Sequence, residues 1–187
     1  MTASIRNGER EVSGNGFSRN IILVGFMGTG KSTVSRLLSE RLSWESLDTD
    51  EEIVRMAGKP IPQIFAEDGE PAFRDWESEA VREALNGERR IVATGGGAVL
   101  REMNRQRMRE GGWVVALTAD KACLIRRVTA AAGSRPLLAG DAEARVTQLL
   151  ETRRHAYDFA HAKVDTTDLS PEGVAEALLQ GLPEGWL

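Results

Sequence analysis

Residues 1 to 19 show no hydrophobic period: they are polar and rich in Gly, Ser, Asn and Arg, and they read as a mobile tail. At Asn20 the pattern changes. NIILVG is a short apolar run closed by glycine, the pattern of a strand buried on both faces. KSTVSRLLSERL follows a glycine-rich loop and sets Val34, Leu37, Leu38 and Leu42 on one helical stripe, with Arg41 at its edge. The same grammar predicts further strands in SWESLDTD, RRIVATGGG, GWVVALT and HAKVDT. Helices are predicted in DEEIVRMAG, PAFRDWESEAVREALNG, REMNRQRMREG, DKACLIRRVTAAAG, DAEARVTQLLETRRHAYDFA and SPEGVAEALLQG. Strands that alternate with helices predict an α/β fold: a five-stranded parallel sheet with helices on both faces and right-handed crossovers. One domain over residues 20–187 accommodates all of it, and ligands of such sheets bind at the carboxyl ends of the strands.

Composition narrows the class. With 41% hydrophobic and 28% charged residues, the chain has an ordinary globular balance, and no apolar run is long enough to span a bilayer. The N-terminus lacks the apolar segment of a secretory signal, so the expected compartment is the cytoplasm, with no membrane partner. Cys123 is the single cysteine, which excludes an internal disulfide and a cysteine-rich zinc site. It reads as a core filler, while His155 and His161 have no metal-ligand spacing, and Trp76 is read as packing. A formal charge of −4 argues against a nucleic-acid surface. A small anionic ligand needs only local basic groups.

Those groups begin in residues 25–32, GFMGTGKS, which satisfy the phosphate-loop pattern. Gly25, Gly28 and Gly30 permit a tight turn whose N–H groups converge on phosphate oxygens. Lys31 reaches the β- and γ-phosphates, Ser32 supplies a hydroxyl to Mg²⁺, and the helix start places its positive end beneath the phosphates. Thr29 and Thr33 complete the predicted ATP-binding set. The second strand is predicted to end in Asp48-Thr49-Asp50, with both carboxylates on one face, one to serve Mg²⁺ and one a hydroxyl substrate. Taken alone, the same residues also read as an acidic helix start. Gly95, Gly96 and Gly97 end the third strand, where they let a ligand approach the backbone or simply form a turn.

GFMGTGKS, LDTDEEI, IFAEDGEPAFRDWE, ATGGGAV, SRPLL and the R-x-x-x-Y of Arg153 and Tyr157 occur in the order and approximate spacing seen in shikimate kinases. The resemblance runs from Asn20 to about Leu182. It implies a phosphate-loop kinase fold with a mobile lid at about residues 130–141, and transfer of the γ-phosphate of ATP, with Mg²⁺, to the 3-hydroxyl of shikimate in the pathway to chorismate. By that resemblance Asp50 contacts substrate hydroxyls and is the candidate catalytic base, and Asp48 supports Mg²⁺ through water. Arg74 and Arg153 together bind the substrate carboxylate, for which a planar guanidinium fork is suited. Glu77 holds Arg74, and Gly96 and Gly97 contact the substrate through their backbone. Arg135, in the lid, meets the phosphates and, with Lys31, offsets charge during transfer. A monomer is implied.

The chain departs from the family pattern at Ala130, Ala131 and Ala132, where relatives often carry polar or basic lid residues, and at Leu169, where some carry arginine. Arg127 is then the candidate to pack against the adenine. Two other readings remain open on the residues: a kinase of another polyol acid such as gluconate, and a catalytically silent nucleotide-binding regulator. The F-R-x-x-E and T-G-G-G elements favour shikimate over the first. Retention of Lys31, Asp50 and Arg135 speaks against the second.

Overall fold

The computed structural model describes residues 6–7, 19–130 and 142–186. The five predicted parallel strands are present as β2 (Ile21–Gly25), β3 (Glu45–Asp48), β4 (Arg90–Ala93), β5 (Trp113–Thr118) and β6 (Ala162–Asp165). A two-residue strand, β1 (Arg6–Asn7), pairs antiparallel with β6, so part of the segment expected to be a mobile tail forms one edge of the sheet. The order is β1-β6-β5-β2-β4-β3. Central β2 is buried at every position and shows period-two packing. Ile21 and Leu23 join Val34, Leu38, Val174 and Leu178 on one face, and Ile22 and Val24 join Val81, Ala84 and Met108 on the other. The first face is covered by α1 (Lys31–Leu42) and α8 (Pro171–Gln180), the second by α4 (Gly69–Ala84) and α5 (Glu102–Gly111).

Two registers place the site. Leu23 is level with Ala93 in the β2–β4 pair, and Asp48 is level with Ala93 in the β3–β4 pair. The segments leaving β2, β3 and β4 therefore emerge side by side at one sheet edge: the loop from Gly25, the acidic segment from Asp48 and the glycine turn from Thr94. Central β2 lies between β4 and β5, neither its neighbour in sequence, so this edge is a crevice of the kind in which such sheets bind ligands.

The remaining differences have local causes. Strand β3 stops at Asp48, and α2 (Thr49–Ala57) starts at the next residue, so Asp48 and Asp50 do not alternate along an extended segment. The Asp48 side chain instead caps the helix, accepting the Asp50 N–H at 3.0 Å. A helix that was not expected, α3 (Ile61–Glu67), follows Pro60 and has Pro62 in its first turn. After α6 (Lys121–Ala130), α7 (Ala142–Thr152) ends eight residues before the predicted Ala160, and residues 153–159 form consecutive turns. Most of the expected lid, including Ser134, Arg135 and Pro136, lies outside the described residues.

Candidate active site

A cleft of about 960 Å³ opens at the shared strand edge and is lined by the phosphate loop, both carboxylates of the acidic segment, the glycine turn, Arg74, Glu77 and Arg153. Its nucleotide half begins where β2 ends. Gly25, Gly28 and Gly30 all have positive φ, at 148°, 84° and 93°, and a side chain on Gly25 would strike the Leu117 carbonyl on neighbouring β5. The turn is therefore closed to any other residue at that position by both conformation and space. Lys31, only 9% exposed, donates from Nζ to the Gly25 and Phe26 carbonyls at 2.9 and 3.0 Å, folding its cation back over the loop. Ser32 Oγ donates to Asp48 Oδ2 at 2.6 Å, which joins the hydroxyl and the carboxylate predicted to serve Mg²⁺. These are hard oxygen donors, one hydroxyl and one carboxylate, and fit a cation that keeps waters and takes phosphate oxygens. Thr33 lines the cleft. Thr29 turns inward, its hydroxyl donating to the Phe26 carbonyl at 2.8 Å and bracing the loop.

The acceptor half is organised around the glycine turn. None of Gly95, Gly96 and Gly97 has a positive φ, so conformation does not require glycine there; space does at Gly95 and Gly97. A Cβ on Gly95 would lie 2.6 Å from Asp50 Oδ1 and 3.2 Å from Glu77 Oε1; on Gly96 it would lie 3.4 Å from Arg153 Nη1; on Gly97 it would collide with Arg74 Nη1. Gly95 and Gly97 thus give room to charged side chains from other elements, Gly96 lies in ordinary contact range of Arg153, and the turn gathers two carboxylates and two guanidinium groups around itself. The Gly95 N–H donates to Thr49 Oγ1 at 2.9 Å, tying the turn to the start of α2 between the two aspartates.

The two arginines differ in their state. Arg74 Nη1 donates to Glu77 Oε2 at 2.7 Å and Nη2 pairs with Glu70 Oε1 at 3.1 Å. Burial works against its charge, but the two carboxylates outweigh that and raise its pKa above the usual value. Glu77 is 1% exposed; burial pushes its carboxyl up, and Arg74 pulls in the other direction. Arg153 is 6% exposed and sits 5.9 Å from the Phe26 ring centroid, yet among the described residues it has no ion pair. A buried cation without a carboxylate partner is costly, and this one faces the cleft. Val54, Ile61, Phe65 and Phe73 supply an apolar wall to the same cleft, with the Phe65 ring tilted 32° at 4.5 Å from Phe73 and the Arg74 guanidinium 5.2 Å from the Phe73 centroid.

A family model described as shikimate kinase matches residues 27–183. The chain belongs to the shikimate kinase family. A curated shikimate kinase from Pelotomaculum thermopropionicum is 42% identical over 166 residues, covering 89% of this chain and 96% of its own. One from Geobacter metallireducens is 45% identical, covering 89% and 93%. Among solved structures, a shikimate kinase from Acinetobacter baumannii in complex with shikimate superposes with a TM-score of 0.82 at 36% identity, covering 88% of this chain and 93% of that one. A gluconokinase from Sinorhizobium meliloti, at 18% identity and a TM-score of 0.60, shares the fold alone.

As a member of the shikimate kinase family the chain is a kinase, and its described sequence-predicted site residues, apart from Thr29, line one cleft, while Arg135 lies outside the described residues. Arg127 bridges the two sides of the nucleotide half, its Nη2 donating to the Thr166 carbonyl at 2.8 Å and its Nη1 to Thr166 Oγ1 at 3.0 Å and the Gly28 carbonyl at 3.4 Å. Sequence reasoning missed the apolar wall. Its signal was present in Ile61, Ile64 and Phe65, an i, i+3, i+4 set behind a proline-marked helix start. No described helix is long and apolar enough to cross a membrane.

Proposed function

We propose that the chain transfers the γ-phosphate of ATP, in the presence of Mg²⁺, to the 3-hydroxyl of shikimate. The observation that carries this reading is Arg153: a buried guanidinium, without an ion pair among the described residues, faces the cleft beside Gly96, while Arg74 abuts Gly97 one residue on. Two planar cations at adjacent backbone positions suit one carboxylate, and a substrate carboxylate would supply the direct ion-pair partner that Arg153, attracted to Glu77 without pairing with it, lacks among the described residues.

With that group anchored, the Asp50 carboxylate over Gly95 is placed to accept a hydrogen bond from a ring hydroxyl and to take its proton as the oxygen attacks. The phosphate loop holds the triphosphate on its N–H groups and the N-terminus of α1, and Lys31 must exchange its bonds to Gly25 and Phe26 for phosphate oxygens. Ser32 and Asp48 would hold Mg²⁺, which neutralises charge on the β- and γ-phosphates. Arg135 is assigned to the same charge from outside the described residues. Transfer then rests on positioning and charge neutralisation, with little covalent work for the protein.

The apolar wall of Val54, Ile61, Phe65 and Phe73 supports a cyclic acceptor with a hydrocarbon face over an open-chain polyol acid such as gluconate. The reading includes a monomer in the cytoplasm, to which a single, buried cysteine is suited. Purified protein assayed with ATP and Mg²⁺ against shikimate, quinate and gluconate tests it: phosphorylation of shikimate with the highest kcat/KM is expected, and preference for gluconate would overturn it.

A further inference from the structure

Tyr157 takes no part in the chemistry above and does not line the cleft, yet it is the single described side chain that joins the Arg153 segment to the glycine turn by a hydrogen bond. Its ring is packed on the hydrophobic cluster of Ile22, Val24 and Ala98 beneath the turn, and its hydroxyl donates to the Gly96 carbonyl at 2.9 Å. Burial pushes the phenol pKa up, so the proton needed for this bond is retained throughout the neutral range. The rest of the turn is fastened by other elements. Thr49 accepts from the Gly95 N–H, Asn104 Nδ2 donates to the Ala98 carbonyl at 3.0 Å, and Arg105 Nη1 donates to the Val99 carbonyl at 2.7 Å.

That pattern fixes the one peptide plane the other three leave free. The peptide between Gly96 and Gly97 is trans and planar, so its N–H points opposite to its C=O. With the carbonyl held toward Tyr157 in the core, the Gly97 N–H points away from the core, where Gly96 and Gly97 line the cleft. Among the described residues that N–H has no hydrogen-bond acceptor. Two glycines in sequence offer little intrinsic resistance to a peptide flip, so without an anchor the plane would be free to rotate.

We propose that Tyr157 is a positioning residue for the acceptor substrate: its hydroxyl holds the Gly96–Gly97 peptide with the Gly97 N–H presented to the cleft as a donor to a substrate oxygen, in register with Arg153 four residues before it. The inference rests on the function proposed above. It explains why a tyrosine stands one turn beyond Arg153: the same short segment delivers a cation to one side of Gly96 and an anchor to the other.

Tyr157→Phe keeps the ring in its cluster and removes only the donor. Steady-state kinetics on the full chain should show the shikimate KM raised about five- to tenfold, as for loss of one hydrogen bond, with the ATP KM unchanged and kcat reduced less than threefold. A tyrosine that merely stabilised the fold would lower the melting temperature and leave both KM values alone, and that result overturns the proposal. The second readout is the ¹⁵N-resolved exchange rate of the Gly97 amide proton in wild type. Shikimate should slow it, and an unchanged rate at saturating shikimate also overturns the proposal, even if the variant is too unstable to assay. Wild type that fails to phosphorylate shikimate removes the function and this inference together; wild type that is active and matched by Tyr157→Phe in shikimate KM removes this inference alone.

Discussion

Arg153→Met separates a residue kept for binding from one kept for stability, because the structure assigns the two effects opposite weights. The substitution removes the guanidinium and leaves an unbranched chain of similar length in a site that is 6% exposed. Desolvation of an unpaired cation opposes folding by several kcal/mol, set against about 2 kcal/mol from the Phe26 ring and the attraction of Glu77. The unfolding free energy should therefore change by less than about 1 kcal/mol in either direction. A structural arginine in a buried pair would instead cost about 3–5 kcal/mol on removal. Binding moves the other way. Loss of one charge-assisted contact to a carboxylate costs about 1.5–3 kcal/mol, which is roughly ten- to a hundred-and-fifty-fold in shikimate Kd. Arg153→Lys keeps the charge without the planar fork and should lose about tenfold. Isothermal titration with shikimate in the absence of nucleotide reads the binding change, and urea denaturation reads the stability. Destabilisation above 2 kcal/mol together with an unchanged shikimate Kd would refute the carboxylate assignment.

Three other outcomes follow from the same geometry. Lys31→Met should abolish phosphoryl transfer while the chain stays folded by circular dichroism, with a stability loss of about 1 kcal/mol because the Gly25 and Phe26 carbonyls lose a donor; measurable turnover would sink the nucleotide-site assignment. Gly97→Ala should raise the shikimate KM about tenfold or more and spare ATP binding, since the three atoms nearest the added methyl group all belong to Arg74. His161 supplies a pH dependence: its Nδ1 accepts the Val114 N–H at 2.9 Å, and burial, then Arg109, hold its pKa below the ordinary 6.5. The unfolded chain then takes up a proton more readily than the folded one, so this stability is complete above pH 6.5 and is lost as pH falls through the lowered value. Urea midpoints measured between pH 7 and pH 5 should fall for wild type and stay flatter for His161→Asn, whose side-chain oxygen can still accept the bond; parallel curves would disprove the role of His161.

The phosphate loop was legible in the sequence because its constraint is contained in eight consecutive residues: three glycines with positive φ, a lysine and a serine at a helix start. The same holds for β2, whose burial on both faces leaves an unbroken apolar run. The acidic segment was half legible. Asp48 and Asp50 do meet in one cleft, but a carboxylate that caps a helix ends the strand at Asp48, two residues sooner than alternation predicts. The helical period in residues 141–160 overran for a related reason: α7 stops at Thr152, and the turns beyond it carry Arg153 and Tyr157.

The glycine triplet shows where reading a sequence locally gives out. Its position predicted close backbone approach, and close approach is what the structure has, but the approaching groups are the protein's own Asp50, Glu77, Arg153 and Arg74. No window around residues 95–97 contains them; they lie 45 and 18 residues before Gly95, 57 after Gly96 and 23 before Gly97. Gly95 and Gly97 are fixed by what folds against them, and those side chains are in turn fixed by the room these glycines leave. Such a mutual constraint is visible in sequence only as motifs recurring together, and this is why the resemblance to a family, rather than the spacing of any one motif, pointed to the acceptor half of the site.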